Sequence, residues 1–78
     1  MAALGGAERR EGEKRLKAIE RALEKLGEDE AKLHIEMAGH DQTDYSGLNI
    51  LAEKQREMNE KRDALEVEWL DLSERLAD

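Results

Sequence analysis

Two runs of apolar residues, each spaced alternately by three and four, limit what this chain can become. The first runs Leu16, Ile19, Leu23, Leu26, Leu33 and Met37, with Glu30 in the slot where an apolar side chain would keep the rhythm. The second runs Leu48, Leu51, Gln55, Met58, Arg62, Leu65, Trp69, Leu72 and Leu76, with Gln55 and Arg62 as its polar members. Spacings of three and four place side chains on one stripe of a helix and are the signature of a coiled-coil seam. A helix with one narrow apolar stripe is marginal alone in water, so each run needs a partner.

The nearest partner is the other run. They are separated by "AGHDQTDYSG", residues 38 to 47, where the charged helical texture breaks. So short a connection makes the helices antiparallel, and the expected fold is all-α, a two-helix antiparallel coiled-coil hairpin. We place helix 1 at about residues 9–38, the turn at about 39–44 and helix 2 at about 45–77, with residues 1–8 as a flexible N-terminal leader or linker. Composition agrees: 42% of residues are charged and there is no proline, and strand-forming residues are scarce, with three isoleucines, one valine and one threonine. With 78 residues there is room for one small domain.

Facing residues in such a hairpin have sequence numbers summing to about 85. This sets Met37 against Leu48, Leu23 against Arg62, Ile19 by Leu65, Leu16 by Trp69, and Glu30 opposite Gln55, where two polar groups can satisfy each other. Arg62 has no acid directly opposite and is expected to lay its stem over Leu23 and Leu26 while its head reaches water or a neighbouring glutamate. Gly27 interrupts helix 1 without shifting its phase, so the helix is expected to continue through it. Gly39 suits a left-handed residue after helix 1, and Asp44 is the preferred cap of helix 2 over Thr43 or Ser46. Tyr45, Ile50 and Ile35 are expected to form a small apolar plug at the tip. A self-complementary seam also permits the same helices to pair between chains, although a monomeric hairpin is the simpler arrangement.

The chain contains no GxxxxGK[ST] loop, no HExxH and no cysteine, and two helices on one seam enclose little volume from which water is excluded. Catalysis by this chain is therefore not expected, and no cofactor is assigned to it. His40, Asp41 and Asp44 could make a weak metal site, but these are common turn and cap residues, so no metal is assigned either. No uninterrupted apolar stretch approaches the roughly 20 residues of a membrane span, and no membrane partner is expected.

The net charge of −7 counts against non-specific affinity for nucleic acid, yet its distribution is uneven. Residues 1–38 hold eight Lys/Arg against nine Asp/Glu, whereas residues 39–78 hold five against eleven. Arg10, Lys14, Lys17 and Arg21 recur at spacings of four, three and four, with Lys25 extending the row, so they form a basic stripe beside the seam. The stripe has two readings: a solvated face paired with Glu13, Glu20 and Glu24, or a phosphate-contacting strip on an otherwise acidic rod.

The segment "DYSGLNILAEKQREMNEKRDALEVEWLDLSERLA" resembles the C-terminal coiled-coil domain of the ABC-F ATPases, particularly the Uup type. Asp44-Tyr45 and the run "LEVEWLDLSERL" from Leu65 to Leu76 carry the likeness, together with Ile19-Glu20-Arg21-Ala22-Leu23 on the earlier helix. The resemblance covers about residues 10 to 77. It implies a larger cytoplasmic parent with two ATP-binding cassettes outside this sequence, so ATP and its hydrolysis belong to that parent. It further implies contact with DNA or ribosomal RNA, for which Arg10, Lys14, Lys17, Arg21 and Lys25 are the candidate residues, and with the cassettes of the same chain. The alternative is a protein-interaction or spacer coiled coil without nucleic-acid binding.

Overall fold

The seam positions of both halves meet in a computed structural model that describes residues 5–77. Helix α1 spans Gly6–Gly39 and helix α2 spans Tyr45–Leu76, and they pack against each other as an antiparallel hairpin. The result is a rod of 56 × 19 × 14 Å, close to the length expected of a 34-residue helix at about 1.5 Å per residue. Helix α1 is continuous through Gly27.

Ile19, Leu26, Leu33 and Leu51 are buried, with Ile19 wholly removed from solvent. Gly12, Ile19, Leu26 and Leu33 stand seven residues apart and are the buried residues of α1, so one heptad position forms the inner line of the seam. Leu16, Leu23 and Met37, and across from them Met58, Leu65, Trp69 and Leu72, are half-buried along its edges. Fully burying a Leu or Ile contributes about 1.5–3 kcal/mol. Four such side chains, with the half-buried flanks, are what hold the two helices together.

The first residues of α1 begin earlier than expected. The helix starts at Gly6 and not near residue 9, with Arg9 N–H donating to Gly5 O over 2.7 Å. Of the expected leader, residues 1–4 lie outside the described residues, and Gly6 to Glu8 are helical.

At the far end Gly39 is the last helical residue and not a left-handed stop, and no described glycine has positive φ. The chain leaves instead through His40 in extended backbone, φ −78° and ψ 147°. Met37 O accepts from His40 N–H and, from the other side of the turn, from Gln42 Nε2, both at 3.4 Å, and Gln42 Nε2 also donates to His40 O at 2.7 Å. Asp41 Oδ1 then accepts from both Thr43 N and Thr43 Oγ1, which makes a compact Asx turn. Asp44 caps α2 as expected, its Oδ1 accepting from Gly47 N at 3.1 Å.

Two packing expectations are corrected. The apolar plug does not form: Ile35, Tyr45 and Ile50 are 74%, 73% and 60% exposed. Ile35 lies between the seam positions Leu33 and Met37 in sequence, and a two-residue step turns it to the outer side of α1. Nor do Glu30 and Gln55 satisfy each other. Glu30 pairs with Arg62, while Gln55 Nε2 lies 3.2 Å from His34 Nε2. A guanidinium on a long stem reaches diagonally along the seam to an acid that a short amide directly opposite cannot neutralise.

Candidate nucleic-acid interface

All five residues of the stripe, Arg10, Lys14, Lys17, Arg21 and Lys25, are exposed on α1. At about 100° per residue they fall within an arc of roughly 80°, centred almost opposite the seam. The stripe therefore occupies the back of α1, not a position beside the seam, and α2 does not cover it. Lys32 is exposed seven residues after Lys25 and continues the same row. A heptad step from Lys25 is the signal for it, hidden in sequence because Glu28 interrupts the spacing of three and four.

Ion pairing varies along the row. Lys25 Nζ sits 3.0 Å from Asp29 Oδ1, and that hydrogen bond and charge raise its pKa above the ordinary lysine value. Among the described residues, no acid lies within ion-pair distance, 4.0 Å, of Arg10, Lys14, Lys17 or Arg21. The expected neutralisation by Glu13, Glu20 and Glu24 is thus not formed, although those carboxylates are also exposed on α1.

Arg15 is differently employed. Its Nε and Nη2 donate to Glu68 Oε2 and Oε1 at 2.7 and 2.8 Å, a bidentate fork that joins the helices near their open end. This bond, and then the opposite charge, raise the pKa of Arg15, while the same bond holds Glu68 below the usual carboxylate value. Arg9 Nη1 donates to Leu76 O at 2.8 Å and ties the open end again. These two arginines act as staples, which leaves the back of α1 to the stripe.

The turn, whose histidine and aspartates could suit a metal ion, is occupied with its own bonds. His40 Nε2 lies 2.9 Å from Asp44 Oδ2, and Asp41 is taken up by Thr43. Hydrogen bonding from Gly47 N, and next from His40, lowers the pKa of Asp44, and that from Thr43 N and Oγ1 lowers the pKa of Asp41. Among the described residues no group of three or more His, Cys, Asp or Glu side chains is arranged to hold a metal ion. His34 and His40 do not converge, one lying by Gln55 and the other by Asp44.

Shallow grooves mark the surface of the rod. One of about 520 Å3 at the open end is lined by Ala7, Glu8, Glu11, Gly12, Arg15 and Leu72. Another, about 250 Å3, is lined by Leu26, Asp29, Lys54, Glu57, Met58 and Lys61. Among the described residues no helix is long and apolar enough to cross a membrane.

Chemically, a row of exposed, largely unneutralised cations some 20–30 Å long on a straight rod suits a polyanion whose charges repeat along a line. Compared with models of protein families, with curated proteins and with solved structures, the chain matches none.

Proposed function

We propose that this chain is a non-catalytic arm, the C-terminal coiled-coil hairpin of an ABC-F ATPase in the cytoplasm, which contacts DNA or ribosomal RNA through the back of α1. The observation that carries the proposal is the stripe: five exposed cations in one row, four of them without an acid within ion-pair distance among the described residues. Phosphate contact displaces counterions and needs neither a pocket nor a shaped cleft, which is consistent with a rod of this kind.

The residues that carry the family resemblance occupy positions on which the hairpin depends. Asp44 caps α2, Ile19 is the most deeply buried of the described side chains, and Leu65, Trp69 and Leu72 lie half-buried on the facing helix. In this reading the cassettes of the parent hydrolyse ATP, and the hairpin supplies reach and a charged surface.

The test is titration of fluorescent single-stranded, duplex and branched DNA and of a ribosomal RNA fragment at low salt. It is run with the wild type and with Arg10, Lys14, Lys17, Arg21 and Lys25 all changed to glutamine. Binding that falls with salt and is abolished in the variant supports the proposal. Absence of binding by the wild type, or equal binding by both, supports instead a protein-interaction or spacer hairpin, a reading favoured by the exposed Val67 and Leu70 on α2.

A further inference from the structure

The back of α2 is the electrostatic counterpart of the back of α1. Glu53, Glu60, Asp63, Asp71 and Glu74 are all exposed, and at about 100° per residue they share an arc of roughly 80° opposite the seam of α2. Val67, 67% exposed, lies in the middle of this arc. The rod therefore has a mainly basic edge, interrupted by Glu28, and a mainly acidic edge, interrupted by Arg56, facing in opposite directions.

The two edges also match in height. Heights along the hairpin are fixed at its open end by the bond from Arg9 to Leu76 and the fork from Arg15 to Glu68, whose numbers sum to 85 and 83. By the same rule Lys14 stands level with Asp71, Arg21 with Asp63 and Lys25 with Glu60. Arg10 and Glu74, and Lys32 and Glu53, extend the match in both directions. Near the tip the bonded pairs His34–Gln55 and Glu30–Arg62 sum to 89 and 92, an offset of about one or two helical turns that long side chains absorb in part.

We propose that a second copy of this chain docks sideways in the same orientation, the acidic back of its α2 against the basic back of α1. A sideways translation without rotation brings every level-matched cation to its acid over about 33 Å of the rod, at about 1.5 Å per residue from Arg10 to Lys32. The contact is heterologous, so each docked copy presents the same two edges again and the assembly is an open ribbon. Existing short-range pairs within one helix, Lys25 with Asp29, Glu53 with Arg56 and Asp71 with Arg75, lie at the surface and exchange partners on docking. The contact is held by exposed charges and is therefore weak and sensitive to salt. It uses the stripe proposed to meet nucleic acid, so the two ligands exclude each other there. It rests on the map of charge along the rod, however, and stands whether or not the stripe binds nucleic acid.

Sedimentation equilibrium of the 78-residue chain, without nucleic acid, tests the inference. Two charge-reversed chains accompany the wild type, one with Lys14→Glu, Arg21→Glu and Lys25→Glu, the other with Glu60→Lys, Asp63→Lys and Asp71→Lys. Far-ultraviolet circular dichroism verifies that each remains helical. At about 20 mM salt the wild type is expected to gain mass with concentration, and its association constant is expected to fall about tenfold or more by 300 mM salt as screening shortens to a few ångströms. Each reversed chain alone is expected to stay at monomer mass, and an equimolar mixture of the two to associate again. A wild type that stays monomeric at millimolar concentration and low salt overturns the proposal. So does association that survives in either reversed chain alone, or a mixture that fails to associate.

Discussion

Arg62 of α2 pairs with Glu30 of α1 across the seam, and the second oxygen of that carboxylate, Oε1, is buried without a hydrogen-bond partner among the described residues. The Glu30 side chain is 14% exposed and that of Arg62 34%, so the pair lies partly inside the apolar contact between the two helices. Breaking such a pair from one side is costly when the remaining charge stays buried, whereas replacing a buried polar pair by apolar side chains is often neutral or stabilising.

Arg62→Leu alone is therefore expected to lower stability by about 1–3 kcal/mol, since it strands the Glu30 carboxylate. The double change Glu30→Leu with Arg62→Leu is expected to recover that loss or exceed the wild type, because the heptad is then apolar at both positions. Urea unfolding followed at 222 nm gives both values. A double variant weaker than the single one would show that the ion pair contributes net stability.

Glycines at two places should respond to alanine with opposite sign. A Cβ on Gly47 would lie 2.4 Å from both Asp44 Oδ2 and His40 Nε2, so Gly47→Ala must disturb the Asp44 cap or the His40 contact, and a loss of about 1 kcal/mol is expected. A Cβ on Gly27 would meet nothing within 4 Å, so Gly27→Ala should gain about 0.5–1 kcal/mol from helix propensity alone. Thermal unfolding of the two variants beside the wild type checks the contrast, and equal shifts would contradict it.

Acid should loosen the tip and the open end together. Asp41, Asp44 and Glu68 all have folded pKa values below their ordinary ones, so each contributes stability that is present above the ordinary carboxylate range. That stability is lost as pH falls through the folded values, because the unfolded chain then binds more protons than the folded one. Unfolding midpoints measured from pH 6 down to pH 2 should fall mainly below about pH 4. Asp44→Asn should flatten part of that dependence, and an unchanged profile would remove Asp44 from the account.

Much of this hairpin is legible in the sequence because its determinants are periodic. The spacing from Leu16 to Met37 and from Leu48 to Leu76 predicts both helices, and Asp44 is a local capping signal that needs no tertiary knowledge. What escapes depends on side-chain length and direction. The partner of Glu30 escapes because a rule that pairs residues by height cannot see Arg62 reaching diagonally. A plug of Ile35, Tyr45 and Ile50 follows from nearness along the chain, but nearness to a turn does not fix the face of a helix on which a side chain stands. Spacing alone finds the stripe, yet its angle to the seam is read only when both rows are put on one helical wheel, which moves it from the side of the seam to the back of α1. Gly39 looks like a left-handed stop because glycine commonly is one, whereas His40 N–H and Gln42 Nε2 close the helix on Met37 O without a left-handed residue.

The claim that the stripe contacts nucleic acid by phosphate neutralisation is tested most directly by the slope of log K against log salt concentration for duplex DNA. For the wild type a negative slope is expected. Each change of Arg10, Lys14, Lys17 or Arg21 to glutamine is expected to reduce its magnitude by about one, since roughly one fewer counterion is released for each cation removed. A slope near zero, or one that these substitutions leave unchanged, would contradict it.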